Sequence, residues 1–294
     1  MKTIKDVFAV FKQRLGGVYD VNETESLTII VINEITNLSK AQIKAFPEKD
    51  ITIKQAETLN AILTRLQTGE PIQYILGHTE FYGLPFKVNP SVLIPRPETE
   101  ELVEWALTSV NTRQLVVSNI LDIGTGSGCI AISLKKNLPN TSVSAIDIST
   151  GALETARQNA DLNEVKINFI QNDILNSKFK IQNSKMSSEG NEKFEVIISN
   201  PPYVTLYDKT QMHTNVTDFE PHSALFVPED DPLIFYKAIA NFALNNLTQN
   251  GLLFLEINES LGDETVDLLQ TKGFRNIELR KDMSGRDRMV KANR

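Results

Sequence analysis

Ile120-Leu121-Asp122-Ile123-Gly124-Thr125-Gly126-Ser127-Gly128-Cys129 reads as a short apolar strand, a turn with glycine at every second position, and the start of a helix running to Leu138. A strand that leads through such a turn into a helix is the opening unit of an open α/β sheet, and the turn lets backbone amides and a helix start approach a ligand closely. The alternation continues downstream. Ser142 to Ile146 is a strand ending in Asp147, Gly151 to Leu162 a helix, and Ile167 to Gln171 a strand ending in Asn172-Asp173. Phe194 to Ile198 is a further strand, ending in Ser199-Asn200-Pro201-Pro202-Tyr203. After a long loop come a helix from Pro232 to Leu244, a strand from Leu252 to Ile257, a helix from Asp263 to Lys272, and a hairpin of Ile277–Lys281 with Arg288–Lys291. Strands alternating with helices imply a parallel sheet. The polar residues 176–193 are expected to form a solvated loop.

Upstream the pattern differs. Val7, Phe8, Val10, Phe11 and Leu15 make an apolar face at helical spacing, and Thr24–Ile35 and Ile53–Leu66 carry similar faces. Residues 1–72 are therefore expected to be a small helical-bundle domain, with no catalytic constellation of its own. Residues 73–94 alternate around Gly83 and Pro85 and predict a β-hairpin linker, leaving 95–294 as the sheet domain. Pro97 opens a helix expected to reach Thr108, with Glu98, Glu100 and Glu101 at its positive end.

With 294 residues the chain is long enough for two domains. Its net charge of −7 argues against a broad nucleic-acid footprint. The single cysteine, Cys129, excludes an intramolecular disulfide. The first residues lack a signal-peptide apolar core and no stretch approaches a membrane span, so a cytoplasmic protein with no membrane partner is expected. His78 has no second His, Cys or carboxylate at metal spacing, and no metal site is expected.

The ligand of the glycine turn is narrowed by its neighbours. A dinucleotide fingerprint needs glycine where Cys129 stands, and no Gly-Lys-Ser or Gly-Lys-Thr marks a P-loop. Asp122 precedes the first glycine instead. Asp147 is placed to accept from two ribose hydroxyls, Asp173 from an adenine amino group, and Ile174 to pack on the base. This acidic rim suits a cationic sulfonium better than a pyrophosphate. At the end of the next strand, two prolines fix φ and remove two backbone donors. The Asn200 side-chain oxygen and the Pro201 carbonyl are left as acceptors beside the flat face of Tyr203, a receptor for a planar –NH2 group. Cys129 is expected in the core, Trp105 in interdomain packing, and His213 and His222 in a solvated loop.

The glycine turn and acidic strand ends resemble those of class I S-adenosylmethionine-dependent methyltransferases. The Asn-Pro-Pro-Tyr turn is similar to that of enzymes methylating a planar nitrogen, whether adenine, cytosine or a glutamine amide. Gln73-Tyr74-Ile75-Leu76-Gly77, Glu80-Phe81-Tyr82-Gly83 and Leu93-Ile94-Pro95-Arg96-Pro97-Glu98-Thr99-Glu100 resemble the release factor glutamine methyltransferase family (PrmC/HemK). Glu220-Pro221, Ala224-Leu225, Glu256-Ile257 and Gly285-Arg286-Asp287-Arg288 extend that likeness almost to the C-terminus.

The resemblance implies a Rossmann-like, seven-stranded methyltransferase sheet and methyl transfer from S-adenosylmethionine to the glutamine amide of a Gly-Gly-Gln loop in peptide chain release factors. The helical domain would dock that protein substrate, and the enzyme would act as a monomer. Asp122, Gly124, Thr125, Gly126, Ser127, Gly128, Asp147, Asp173, Ile174 and Asn200 would hold the cofactor. Asn200, Pro201, Pro202 and Tyr203 would hold the reacting amide. Arg96, Glu98 and Glu100 either line the pocket mouth or cap a helix and pair at the surface. The alternatives are a DNA adenine or cytosine amino-methyltransferase, which needs a base-flipping domain and phosphate-binding cations, and a non-catalytic S-adenosylmethionine-binding protein.

Overall fold

The computed structural model describes residues 1–112, 116–176 and 193–294; of the loop expected over 176–193, all but its two end residues lie outside the described residues. The chain divides into two compact units, Met1–Leu76 with His213–Phe219, and Gly77–Met212 with Glu220–Arg294.

The first unit is helical: α1 (Ile4–Leu15), α2 (Val21–Thr36), α3 (Lys40–Ala45), α4 (Ile53–Leu66) and α5 (Ile72–Leu76). Thr3 with Asp6, Ser39 with Gln42, and Thr52 with Gln55 close capping boxes that satisfy orphan amides at three helix starts. Ile4, Val7, Phe11 and Leu15 fall on one face of α1 and bury against Val31, Ile32, Leu59 and Leu63. Residues 73–76 are helical, a correction to the hairpin expected to begin at Gln73. Tyr74 and Ile75 amides donate to the Pro71 carbonyl at 3.0 and 3.1 Å, and the Arg65 guanidinium donates to the Ile75 carbonyl at 3.2 Å. The Arg65 bond comes from α4, outside the segment, so local alternation did not reveal it.

The second unit opens with the hairpin β1 (His78–Phe81) and β2 (Leu84–Lys87), then α6 (Pro97–Thr112), β3 (Asn119–Ile123), α7 (Cys129–Asn137), β4 (Ser142–Asp147), α8 (Thr150–Leu162), β5 (Asn168–Gln171) and β6 (Phe194–Ser199). Short helices α9 (Leu206–Lys209), α10 (Thr214–Phe219) and α11 (His222–Leu225) occupy the expected long loop, α10 belonging to the first unit. The chain finishes with α12 (Ile234–Asn246), β7 (Leu247–Glu256), α13 (Gly262–Thr271), β8 (Arg275–Lys281) and β9 (Asp287–Asn293).

Among the described residues the sheet has seven strands in the order β5-β4-β3-β6-β7-β9-β8. All neighbours are parallel except β9, which runs antiparallel to both β7 and β8. The α/β class and seven-stranded sheet expected from the sequence are observed. The central strands β6 and β7 bury both faces by period two: Val196, Ile198, Leu252 and Phe254 meet α6 and α7, while Ile197, Leu253 and Leu255 meet α12 and α13. Trp105 on α6 lies in the first of these layers, edge-on to Phe254 at 5.7 Å, with Lys291 5.0 Å from its ring centroid. That corrects the expectation of interdomain packing.

Gly128, at φ +84°, begins α7, and a Cβ there would lie 3.0 Å from Ile132 Cδ1 and 3.2 Å from Ala156 Cβ of α8. It is a close-packing glycine. Gly128→Ala should destabilise the protein by roughly 1–3 kcal/mol, combining left-handed strain with a steric clash. An unchanged urea midpoint would show that the turn relaxes freely.

Candidate active site

Parallel register brings the carboxyl ends of four strands to one level. Ile123 of β3 is opposite Ile146 of β4 and Ser199 of β6, and Asp147 is opposite Gln171 of β5. The chain therefore leaves the sheet at Gly124, Ile148, Asn172 and Asn200 along one edge. The strand order reverses between β3 and β6, where open α/β sheets bind ligands. There the Ser199 hydroxyl donates to the Ile123 carbonyl at 2.6 Å, tying the two ends together.

A cavity of about 370 Å³ lies at this edge, lined by Gly124, Thr125, Gly126, Ser127, Asp147, Asp173, Ile174, Asn200, Pro201 and Pro202. Its volume is within the usual range of roughly 300–1,000 Å³ for small-molecule sites. Three residues expected at the site stand elsewhere. Asp122 is fully buried beneath the turn and accepts from the Thr125 hydroxyl at 2.6 Å. Gly128 faces α8, and the Tyr203 ring packs into the core with its hydroxyl donating to Glu256 Oε1 at 3.0 Å.

The Asp147 carboxylate accepts from the Gly126 amide at 2.8 Å and the Ser149 amide at 2.9 Å, so it braces the glycine turn from the neighbouring strand. Burial raises its pKa against those bonds. Asp173 Oδ1 accepts from the Leu175 amide at 2.8 Å. Exposed Ile148 and Leu175 stand at the same lip, and a Cβ on Gly126 would meet nothing within 4 Å. Open space at the turn, accepting carboxylates on two strand ends and an apolar lip form a lining that fits S-adenosylmethionine, with its cationic sulfur, ribose hydroxyls and flat base. Cys129 also lines the cavity, but burial pushes its thiol up to about 12, so it stays protonated and is no nucleophile.

Sequence reasoning missed a wall supplied by Ser91, Val92, Leu93, Pro95 and Thr99, and another by Pro221, Ala224 and Phe226. The buried carboxylate of Glu220 joins them, accepting from the Ile94 amide at 3.1 Å and from the Arg96 guanidinium. Arg96 is the single cationic side chain lining the cavity among the described residues. Glu100 instead accepts from the Tyr82 amide at 2.8 Å and anchors the hairpin. Buried Asn159 was also missed: it bonds Lys87 through both backbone groups and donates to the Ser127 carbonyl at 2.9 Å. A further contact at the proline turn is a chain of side chains. Asn200 Nδ2 lies 3.1 Å from Thr99 Oγ1, which lies 2.7 Å from Glu256 Oε2.

Complete burial pushes the Asp122 carboxyl up to about 7 despite the Thr125 hydroxyl and the Ala131 amide. An unfolded aspartate titrates near 3.9, so between about pH 4 and 7 the folded chain holds the extra proton and its stability falls as pH rises. The stability difference between wild type and Asp122→Asn should therefore drop by roughly 2–4 kcal/mol from pH 4 to pH 8. A difference independent of pH would mean that Asp122 is solvated.

The methyltransferase small domain family matches residues 106–218, and the PrmC N-terminal domain family matches residues 6–77. The release factor glutamine methyltransferase of Flavobacterium psychrophilum is 47% identical, with 99% of each chain covered. That of Bacteroides thetaiotaomicron is 41% identical over 98% of this chain and 99% of its own. In fold, the chain is similar to the T. thermophilus 16S rRNA N2 G1207 methyltransferase, solved with AdoMet and guanosine, at a TM-score of 0.50 and 16% identity, covering 74% of this chain and 49% of that one. With near-complete coverage by relatives so similar, and a glycine turn and proline turn sharing one cavity, this chain belongs to the release factor glutamine methyltransferase family.

Proposed function

We infer that this chain is the S-adenosylmethionine-dependent protein-(glutamine-N5) methyltransferase of peptide chain release factors, acting on the glutamine of their Gly-Gly-Gln loop. The observation that carries this reading is the closeness of the two turns: a Cβ on Gly124 would lie 3.9 Å from the Asn200 carbonyl oxygen. A methyl donor on the glycine turn and a planar amide on the proline turn are thereby neighbours. Bound there, S-adenosylmethionine supplies an electrophilic methyl group on a positively charged sulfur.

The chain's own residues supply position. An amide nitrogen is a poor nucleophile because its lone pair is delocalised into the carbonyl. The Asn200 side-chain oxygen and the Pro201 carbonyl accept its two N–H hydrogens and hold the nitrogen toward the methyl donor. As positive charge builds on the nitrogen, these bonds strengthen, which stabilises the transition state more than the ground state. Positioning of this kind is worth roughly 7–11 kcal/mol. No dedicated base is assigned; the proton leaves to water after transfer. Asp147 and Asp173 hold the cofactor's ribose and base, and Ile174 packs on the base.

The helical unit recognises a part of the folded release factor away from the loop, because a Gly-Gly-Gln tip carries little side-chain surface for selection. The proposal has the enzyme working in the cytoplasm as a monomer on protein and not DNA, in keeping with the net charge of −7. No described helix is long and apolar enough to cross a membrane.

Three outcomes test this reading. Asn200→Ala should retain cofactor affinity within about tenfold while turnover falls roughly 100-fold or more, the usual loss for one transition-state hydrogen-bond partner. Asp147→Ala should weaken cofactor binding in calorimetry by roughly 1–3 kcal/mol; unchanged affinity removes it from the pocket. A shortened chain beginning at Gly77 that still binds cofactor should methylate a Gly-Gly-Gln peptide but show a raised KM for the intact factor. An unchanged KM would end the docking role.

A further inference from the structure

A carboxamide is nearly symmetric in shape, and turning Asn200 by half a revolution exchanges its acceptor for its donor. One orientation offers the cavity an oxygen, the other an NH2 group. Only the first receives a substrate –NH2; the second attracts a carbonyl or carboxylate oxygen and puts the wrong atom of a glutamine forward.

The hydrogen bonds behind Asn200 decide between them. Glu256, at the end of β7, is 1% exposed, and Thr99, in the first turn of α6, is 3% exposed. Both lie out of reach of bulk water. A carboxylate only accepts, so the Thr99 hydroxyl, 2.7 Å from Glu256 Oε2, spends its single proton there. Tyr203 donates to the other oxygen of the same carboxylate at 3.0 Å. With its proton committed, the Thr99 oxygen is left to accept. The Asn200 atom 3.1 Å from it is therefore Nδ2, and Oδ1 is turned the other way.

We propose that Glu256 and Thr99 are positioning residues that hold the Asn200 carboxamide acceptor-outward, so that the site takes the nitrogen of the substrate amide and rejects its oxygen. This rests on the reading of Asn200 as the amide acceptor. It also gives Tyr203 a role other than stacking: its hydroxyl fills the second oxygen of Glu256 and keeps that carboxylate committed to Thr99. The four residues come from α6, the proline turn and the end of β7; Thr99 stands in the cavity wall and Glu256 is buried behind it.

The test separates this proposal from the reading beneath it. Thr99→Val keeps the shape and removes the hydroxyl, releasing the amide to turn. On a Gly-Gly-Gln peptide its kcat should fall at least tenfold, with cofactor affinity in calorimetry and the thermal midpoint near those of the whole protein. Thr99→Ser should recover most of the lost rate. Glu256→Gln can donate to Thr99 and reverse the chain of bonds, and should show a similar loss in kcat. The double variant Thr99→Val/Asn200→Ala should be no slower than Asn200→Ala alone, because Thr99 acts only through Asn200. The NH2 resonances of Asn200, assigned by their loss in Asn200→Ala, should shift in Thr99→Val. If Asn200→Ala is slow but Thr99→Val keeps more than half its kcat, or if the two losses multiply, the positioning proposal is overturned and the acceptor reading stands. If Asn200→Ala turns over normally, both are overturned.

Discussion

The site depends on strand ends held at one height. Parallel pairing sets Ile123 level with Ile146 and Ser199, so the residues that follow each strand emerge side by side. A slip of one residue in any of these registers would turn the strand's buried set to the opposite face of the sheet, and both faces are covered by helices. The core therefore enforces the register, and the register enforces the cavity. The Ser199–Ile123 bond and the contacts of Asn159 to Lys87 and Ser127 add local clamps at the points where the chain leaves the sheet.

Around that edge the protein buries three carboxyl groups. Asp122, Glu220 and Glu256 are each at most 3% exposed. Removing such groups from water costs several kcal/mol apiece unless partners replace the solvent. Asp122 has a hydroxyl inside its own turn and the Ala131 amide, Glu220 an arginine and a backbone amide, and Glu256 two hydroxyls. Burial raises the Glu256 pKa against the two hydroxyl bonds.

Some features were legible because they are local. An apolar strand, a glycine turn and the first residues of α7 lie within about a dozen consecutive positions, and φ restrictions and periodicity act at that range. The same holds for the proline turn after β6 and for the acidic residues that end β4 and follow β5. The hairpin of β8 and β9 was legible as a hairpin. Its place in the sheet was not, since β9 slots between β7 and β8 and pairing along a sheet edge leaves no trace in the spacing of either strand.

What the sequence by itself determined was the α/β class, the order of the strands and helices along the chain, and the turns that line the cavity, because these follow from periodicity and backbone restriction within short windows. Tertiary structure alone decided that Gly128 packs against α8, that Tyr203 turns inward, and that Thr99, Asn200 and Glu256 meet. Thr99 and Glu256 are 157 positions apart, and each in isolation reads as an ordinary polar residue near an element end. Their meaning is the direction in which one proton points, and that direction exists only after the strands have been brought into register and the water excluded.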